Sequence, residues 1–486
     1  MHFFATRVSR LKPLKLLLAA FVIVPAVSTV KAQVRVVNLS VLSLAPAKVR
    51  IELASVAGTD WSFRNTYPGV VGLAERIENF QGADNLGRVV PVRKLAAGEF
   101  RFRENVTKVR YEVLLTPPSN MGDMSHVSWL NEEYGLLMLG DLLPEVGMGA
   151  TPNLILNLEL PPGWVSGSNR DPIAPERYLV ARPEQAVFAV GPALRTKSIR
   201  VGDTQIRIVT SSAWPFSDGA VSKIVAKILE EYTRILRHPL PGTVALLIGP
   251  FRGSVGPERW SAETRGQSVV LLLGRQGSSG ALLGRLRVVL THELFHLWVP
   301  NTLTLQGDYD WFFEGFTLYQ ALLTALRLRY ITFEDYLATL ARVYDSYRTS
   351  PERDKLSLLD ASARRWTTRS IVYDKGMLVA FIYDLMLRRA TEGRATVTDV
   401  YQELFRASTA KRQNANDVLI SLLNRPNGMN RFSGDYVEGA AEIDLNSVLT
   451  PYGLDVETTG SITRLTVRRQ INPEQRRLLK SLGYKR

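Results

Sequence analysis

Thr291-His292-Glu293-Leu294-Phe295-His296-Leu297-Trp298 is the stretch from which the rest of the chain is best read. Leu286, Val289 and Leu290 precede it at helical spacing, which predicts a helix over 281–298. Residues four apart on a helix lie about 40° apart on one face, one turn along. His292 and His296 therefore present two imidazoles to one point, and Glu293 sits on the rim beside them. Paired imidazoles at this spacing suit zinc, and a neighbouring Glu can reach a water on the metal without displacing a ligand. A catalytic zinc needs a third protein ligand and keeps one position open. The plainer reading is two satisfied core histidines and a solvated glutamate.

Downstream, Tyr309-Asp310-Trp311-Phe312-Phe313-Glu314-Gly315-Phe316-Thr317-Leu318-Tyr319 favours the metal. Glu314 lies among aromatics, an expensive place for a bare carboxylate, and bonding to a cation would explain it. The chain has no Cys and five His: His2, His126, His238, His292 and His296. Thiolate metal sites and Cys nucleophiles are thereby excluded.

The 486 residues predict two to four domains. Residues 1–32 are basic to Lys15, apolar from Leu16 to Val27, and end in a polar stretch closing at Ala32. That is the layout of an export signal cleaved after Ala32, too short to span a bilayer. Residues 33–200 read as a β domain, with strands over Val34–Leu42, Lys48–Leu53, Val109–Leu115 and Asn153–Leu160. Residues 201–330 mix strands (Thr204–Val209, Val244–Gly249) with an amphipathic helix, Asp218–Arg237, and the His-Glu helix. Residues 331–430 form a helical unit. Helices are expected over 313–329, 333–348, 374–391, 396–406 and 415–423. Residues 431–486 are an extension ending in a basic helix with Asn472 as cap, Pro473 at its first position and Gly483 as stop.

The formal charge of +14 is concentrated at the ends. Residues 1–32 carry five Lys/Arg and no acid; residues 461–486 carry eight Lys/Arg and one acid, Glu474. The body between them is close to neutral, which argues against a nucleic-acid surface. Beyond the signal no apolar run is long enough for an integral span. A weak contact of the basic tail with an anionic surface is the remaining membrane-related expectation.

HELFHLW (292–298), WFFEGFTLY (311–319), SLLDASARRW (357–366) and VYDKGMLVAFIYDLMLR (372–388) resemble the glycyl aminopeptidase family, metallopeptidase family sixty-one, among the gluzincin zinc metallopeptidases. VRYEVLLT (109–116) and LPPGW (160–164) resemble its N-terminal β domain. The resemblance implies an α+β multidomain fold: a β-sandwich-like N-terminal domain, a thermolysin-like catalytic domain and a helical C-terminal unit. It implies one zinc ion per chain on His292, His296 and Glu314, with Glu293 as general base and Tyr373 stabilising the oxyanion. Three departures stand out. Trp260–Ser268 occupies the place of a glycine-rich Glu-His segment that holds a substrate's amino group, and only Glu263 matches its acid. Seventeen residues separate His296 from Glu314, slightly fewer than is usual. The segment after the helical unit is too short for a complete PDZ-like domain.

The expectation is an exported, periplasmic or secreted, zinc-dependent peptidase, aminopeptidase-like, with a peptide as partner and an oligomeric state the sequence leaves open. A zinc endopeptidase or amidase indifferent to the amino terminus is the alternative within enzymes. A non-catalytic, zinc-containing exported binding protein is the alternative outside them.

Overall fold

Strict alternation of apolar and polar residues builds the first sheet. Val37 and Leu39 in Arg35–Leu44, Val49, Ile51 and Leu53 in Ala47–Ser62, and Val109, Tyr111 and Val113 in Glu99–Leu114 all point to one buried face. The registers Leu39↔Ile51 and Ile51↔Tyr111 align these rows across antiparallel neighbours. Leu154–Glu159 joins parallel on the other side of the first strand, and the sheet reaches nine strands. The computed structural model describes residues 35–67, 69–145, 153–211, 213–365, 367–408 and 412–485. The export signal expected over 1–32 lies outside them.

A four-stranded sheet forms the next layer. Its central strands, Gly135–Met138 and Val187–Gly191, are buried throughout. Leu137, Phe188 and Val190 pack on the first sheet. Leu136, Met138, Val187 and Ala189 pack in the opposite direction, against Val209, Ala245, Leu247, Val270 and Leu272. Burial on both faces is why these strands read as continuous apolar runs rather than alternating ones.

The partners of that second face belong to a five-stranded mixed sheet: β1 (Leu194–Val201), β2 (Thr204–Ser211), β3 (Gly242–Pro250), β4 (Trp260–Arg265) and β5 (Ser268–Leu273), in the order β1-β2-β3-β5-β4. β2, β3 and β5 run parallel, and β4 lies antiparallel on the edge. Its other face (Ile206, Ile208, Leu246, Ile248, Leu271) packs on α1 (Asp218–Leu236) and α2 (Ser279–Glu293) through Val221, Val225, Ile228, Leu286 and Leu290.

The rest is mostly helical: α3 (Thr317–Arg327), then Phe333–Thr349, α4 (Gly376–Ala390), Val397–Ala407 and Ala415–Asn424, with an antiparallel hairpin, Leu454–Thr459 and Ile462–Val467, that the sequence reading did not expect. α5 (Pro473–Leu482) buries Leu478, Leu479 and Leu482 in the same core. Its exposed face keeps Arg476, Arg477 and Lys480. Among the described residues no helix is long and apolar enough to cross a membrane.

Three helix boundaries differ from the periodic reading. The α-helix expected over 281–298 stops at Glu293 and continues as one tighter turn, Phe295–Leu297. Pro300 disfavours helical geometry at the preceding residue, so the segment ends there. α3 and α4 are each preceded by a wide π-helical turn, Trp311–Phe316 and Ile371–Lys375. Apolar periodicity does not register one inserted residue in a helix.

Candidate metal centre

The two π-turns meet back to back at glycines. A Cβ on Gly315 would lie 2.5 Å from Gly376 Cα and 2.9 Å from Val372 O. A Cβ on Gly376 would lie 2.9 Å from Trp311 O. This backbone contact brings the segment bearing Glu314 against the segment bearing Tyr373. Glycine inside a helical pattern costs up to ~1 kcal/mol against alanine, so a packing reason is expected, and the close approach supplies it.

α2 and the turn after it place His292 and His296 opposite Glu314. His292 Nε2 and His296 Nε2 are 3.1 Å apart, and Glu314 Oε2 stands 3.6 and 3.5 Å from them. Among the described residues this trio is the group of three that could hold a metal ion. Donors on a tetrahedron with bonds of about 2.0–2.1 Å stand roughly 3.3–3.4 Å apart, so the trio fits three corners around zinc. His296 Nδ1 lies 2.9 Å from Val299 O, which fixes the ring and leaves Nε2 for the cation.

Electrostatics agree with that donor set. Burial, then His296, pushes His292 down to about 3, so it is neutral and its lone pair is available. Burial opposes ionisation of Glu314, yet His296, Arg365 and His292 outweigh it and hold the carboxyl at about 2. Burial likewise opposes a charge on His296, but Glu314 draws its pKa up. A proton and a cation therefore compete for the same pocket of acceptors.

Glu293 is buried at the end of α2, and burial pushes it up to about 7. The Thr264 hydroxyl lies 2.9 Å from its Oε2 and 2.8 Å from its backbone O, tying edge strand β4 to the His-Glu helix. Opposite, Arg365 Nη2 donates to Glu314 Oε1 at 2.6 Å and to Tyr373 Oη at 2.9 Å, while Nη1 donates to Asp310 Oδ1 at 2.6 Å. Tyr373 is thus one guanidinium away from the trio. Burial, then Glu314, raises its hydroxyl pKa, so it stays protonated and able to donate.

Glu263 is placed differently. On a strand, neighbours face opposite ways, and Thr264 takes the side of Glu293. Glu263 Oε1 accepts from Tyr67 Oη at 2.6 Å and from Arg265 Nε and Nη2 at 3.1 Å; Oε2 lies 2.6 Å from His126 Nδ1. Burial works against its charge, but Arg265 and His126 prevail and lower its pKa. Arg265 is itself buried and lies over the Tyr67 ring, 4.0 Å from the centroid. Sequence reasoning missed Arg365, Asp310, Thr264 and the glycine pair. Only the glycines gave a signal, as helix breakers inside apolar helices.

The centre is thus an edge strand beside a His-Glu-x-x-His segment, with a glutamate on the next helical segment facing the two histidines. Residues 285–379, from the middle of α2 to the start of α4, match the family model of the M61 glycyl aminopeptidases. The resemblance read from the sequence therefore holds over the site. An aminopeptidase N family protein from Idiomarina loihiensis superposes with a TM-score of 0.75 at 18% identity, covering 87% of this chain and 79% of that one. An M1 zinc metallopeptidase from Deinococcus radiodurans gives 0.54 at 15% identity over 85% of this chain and 95% of that one. A variant of that enzyme, bound to a Tyr-Ser-Ala substrate, gives 0.53 at 14% over the same shares. No curated protein matches the sequence significantly.

Proposed function

We propose that the chain is an exported, zinc-dependent peptide hydrolase with one zinc ion on His292 Nε2, His296 Nε2 and Glu314 Oε2. The observation that carries this is the triangle of three donors 3.1–3.6 Å apart with the buried Glu293 beside it. When bound there, zinc supplies Lewis-acid polarisation of a water and of the peptide carbonyl. Glu293, raised to about 7 and oriented by Thr264, takes a proton from the attacking water and passes it to the leaving amine. Tyr373 donates its hydroxyl proton toward the oxygen on which charge develops. The apolar, unchargeable stretch Leu16–Val27 supports export to the periplasm or medium.

By its resemblance the enzyme is aminopeptidase-like, with Glu263 as the acid facing a substrate's ammonium. One observation favours a second reading. Glu263 is already neutralised by Arg265 and bonded by Tyr67 and His126, which leaves little negative charge for an ammonium. That supports cleavage indifferent to the amino terminus. Metal analysis of the purified chain, followed by matched peptides with free and acetylated N-termini, tests both. A chain without zinc, or one that cleaves neither series, refutes the peptidase reading. Equal cleavage of the two series selects the second reading over the first.

A further inference from the structure

Resting on that reading, we propose that Arg365 is a positioning residue that couples the metal-binding carboxylate of Glu314 to the hydroxyl of Tyr373 through one guanidinium nitrogen. Arg365 lies in the turn after the short helix Leu358–Ser362, its side chain 22% exposed, with its guanidinium 5.4 Å from the Phe313 ring centroid and 5.9 Å from that of Tyr373. A guanidinium has donors and no acceptor. Both bonds from Nη2 therefore end on lone pairs, one on Glu314 Oε1 and one on Tyr373 Oη.

Each bond fixes a direction. With Oε1 of Glu314 engaged, Oε2 is the oxygen turned to His292 and His296, and it is the atom that would be offered to a cation. With a lone pair of Tyr373 engaged, its single proton points elsewhere and is free for an oxygen in the cleft. The third bond, from Nη1 to Asp310, holds the guanidinium plane so that both orientations are set together. Supporting groups of this kind commonly set metal affinity and ligand direction.

A purely structural Arg365 would only neutralise the half-buried Asp310 and the buried Glu314. Lysine would serve that purpose as well, and the effect would be independent of Tyr373. The two roles separate in Arg365→Lys, which keeps the charge but offers one compact ammonium in place of a planar fork. We expect Arg365→Lys to unfold near the parent temperature. Its zinc Kd, read by competition with a chelator, should weaken about 10–100-fold. At saturating zinc its kcat should fall about 10–100-fold with KM within about twofold. In a Tyr373→Phe background the same substitution should cost kcat no more than about threefold further, because the hydroxyl it positions is gone. Arg365→Gln removes the charge as well; if it does not fold, the lysine variant carries the test. Parent zinc affinity and kcat in Arg365→Lys would overturn the proposal. So would kcat losses in the two single variants that multiply in the double. If Tyr373→Phe is impaired while Arg365→Lys is not, this inference alone fails. If Tyr373→Phe keeps the parent kcat, the assignment of Tyr373 fails with it.

Discussion

Replacing Gly315 by alanine tests whether the crossing of the two π-turns builds the centre. The new Cβ would sit 2.5 Å from Gly376 Cα, 2.6 Å from Gly376 C and 2.9 Å from Val372 O. All three are backbone atoms, so no side chain can rotate away. Ordinary carbon contacts need about 3.5–4.0 Å, so the segments must part by roughly 1 Å. Overpacking of this kind costs about 1–3 kcal/mol, and alanine's helix preference returns at most ~1 kcal/mol. The fold should survive with a lowered Tm. The Arg365 bonds that span the crossing are 2.6 and 2.9 Å, and an opening of roughly 1 Å takes them outside hydrogen-bonding range. Misplacement by about 1 Å costs on the order of 10²-fold in rate, so kcat/KM should fall by that factor. Gly284→Ala is the control: its Cβ in α2 meets nothing within 4 Å, so it should stabilise by about 0.5–1 kcal/mol with activity kept. The assay is kcat/KM on a cleaved peptide beside thermal melts of both variants. Parent-like activity and Tm in Gly315→Ala would show that the glycine contact does not hold the site together.

His292→Ala, His296→Ala and Glu314→Ala should each lose zinc and activity together; full zinc occupancy in Glu314→Ala would place the third ligand elsewhere. Glu293→Gln should retain zinc by metal analysis while activity falls at least about 10²–10⁴-fold, since only the proton acceptor is removed. Glu263→Gln should lower Tm and impair free and N-acetylated peptides alike, because leaving the buried Arg265 without its carboxylate costs about 3–5 kcal/mol; a loss confined to free N-termini would restore Glu263 as the ammonium acceptor. Chelation should lower Tm, and zinc at a hundredfold excess over Kd should restore it by adding about 2.7 kcal/mol of stability; an unchanged Tm after verified zinc removal would contradict binding to the folded state.

Much of this was legible because local rules were enough. The i, i+4 histidines needed only helical geometry, and Glu314 announced itself as an acid among aromatics. The first sheet followed from alternation at Val37–Leu39 and Val49–Leu53. The middle sheet was harder, since Gly135–Met138 and Val187–Gly191 are buried on both faces and show no period. What sequence could not supply was anything set by two segments meeting. Arg365 stands in an arginine pair to which no sequence pattern assigns a partner, and the approach of Glu314 and Tyr373 supplies them. Glu263 shows the same limit from the other side. Its place in the chain suggested an acid waiting for a substrate's ammonium. Its surroundings, Tyr67 and His126 from the N-terminal region and Arg265 two residues on, come from distances in sequence that no pattern connects. Geometry read from position in a motif therefore carries over where one continuous helical segment holds it, as α2 and the tighter turn after it do for His292 and His296. It weakens where a carboxylate's partners are contributed by other parts of the fold, because those partners decide whether the charge remains available.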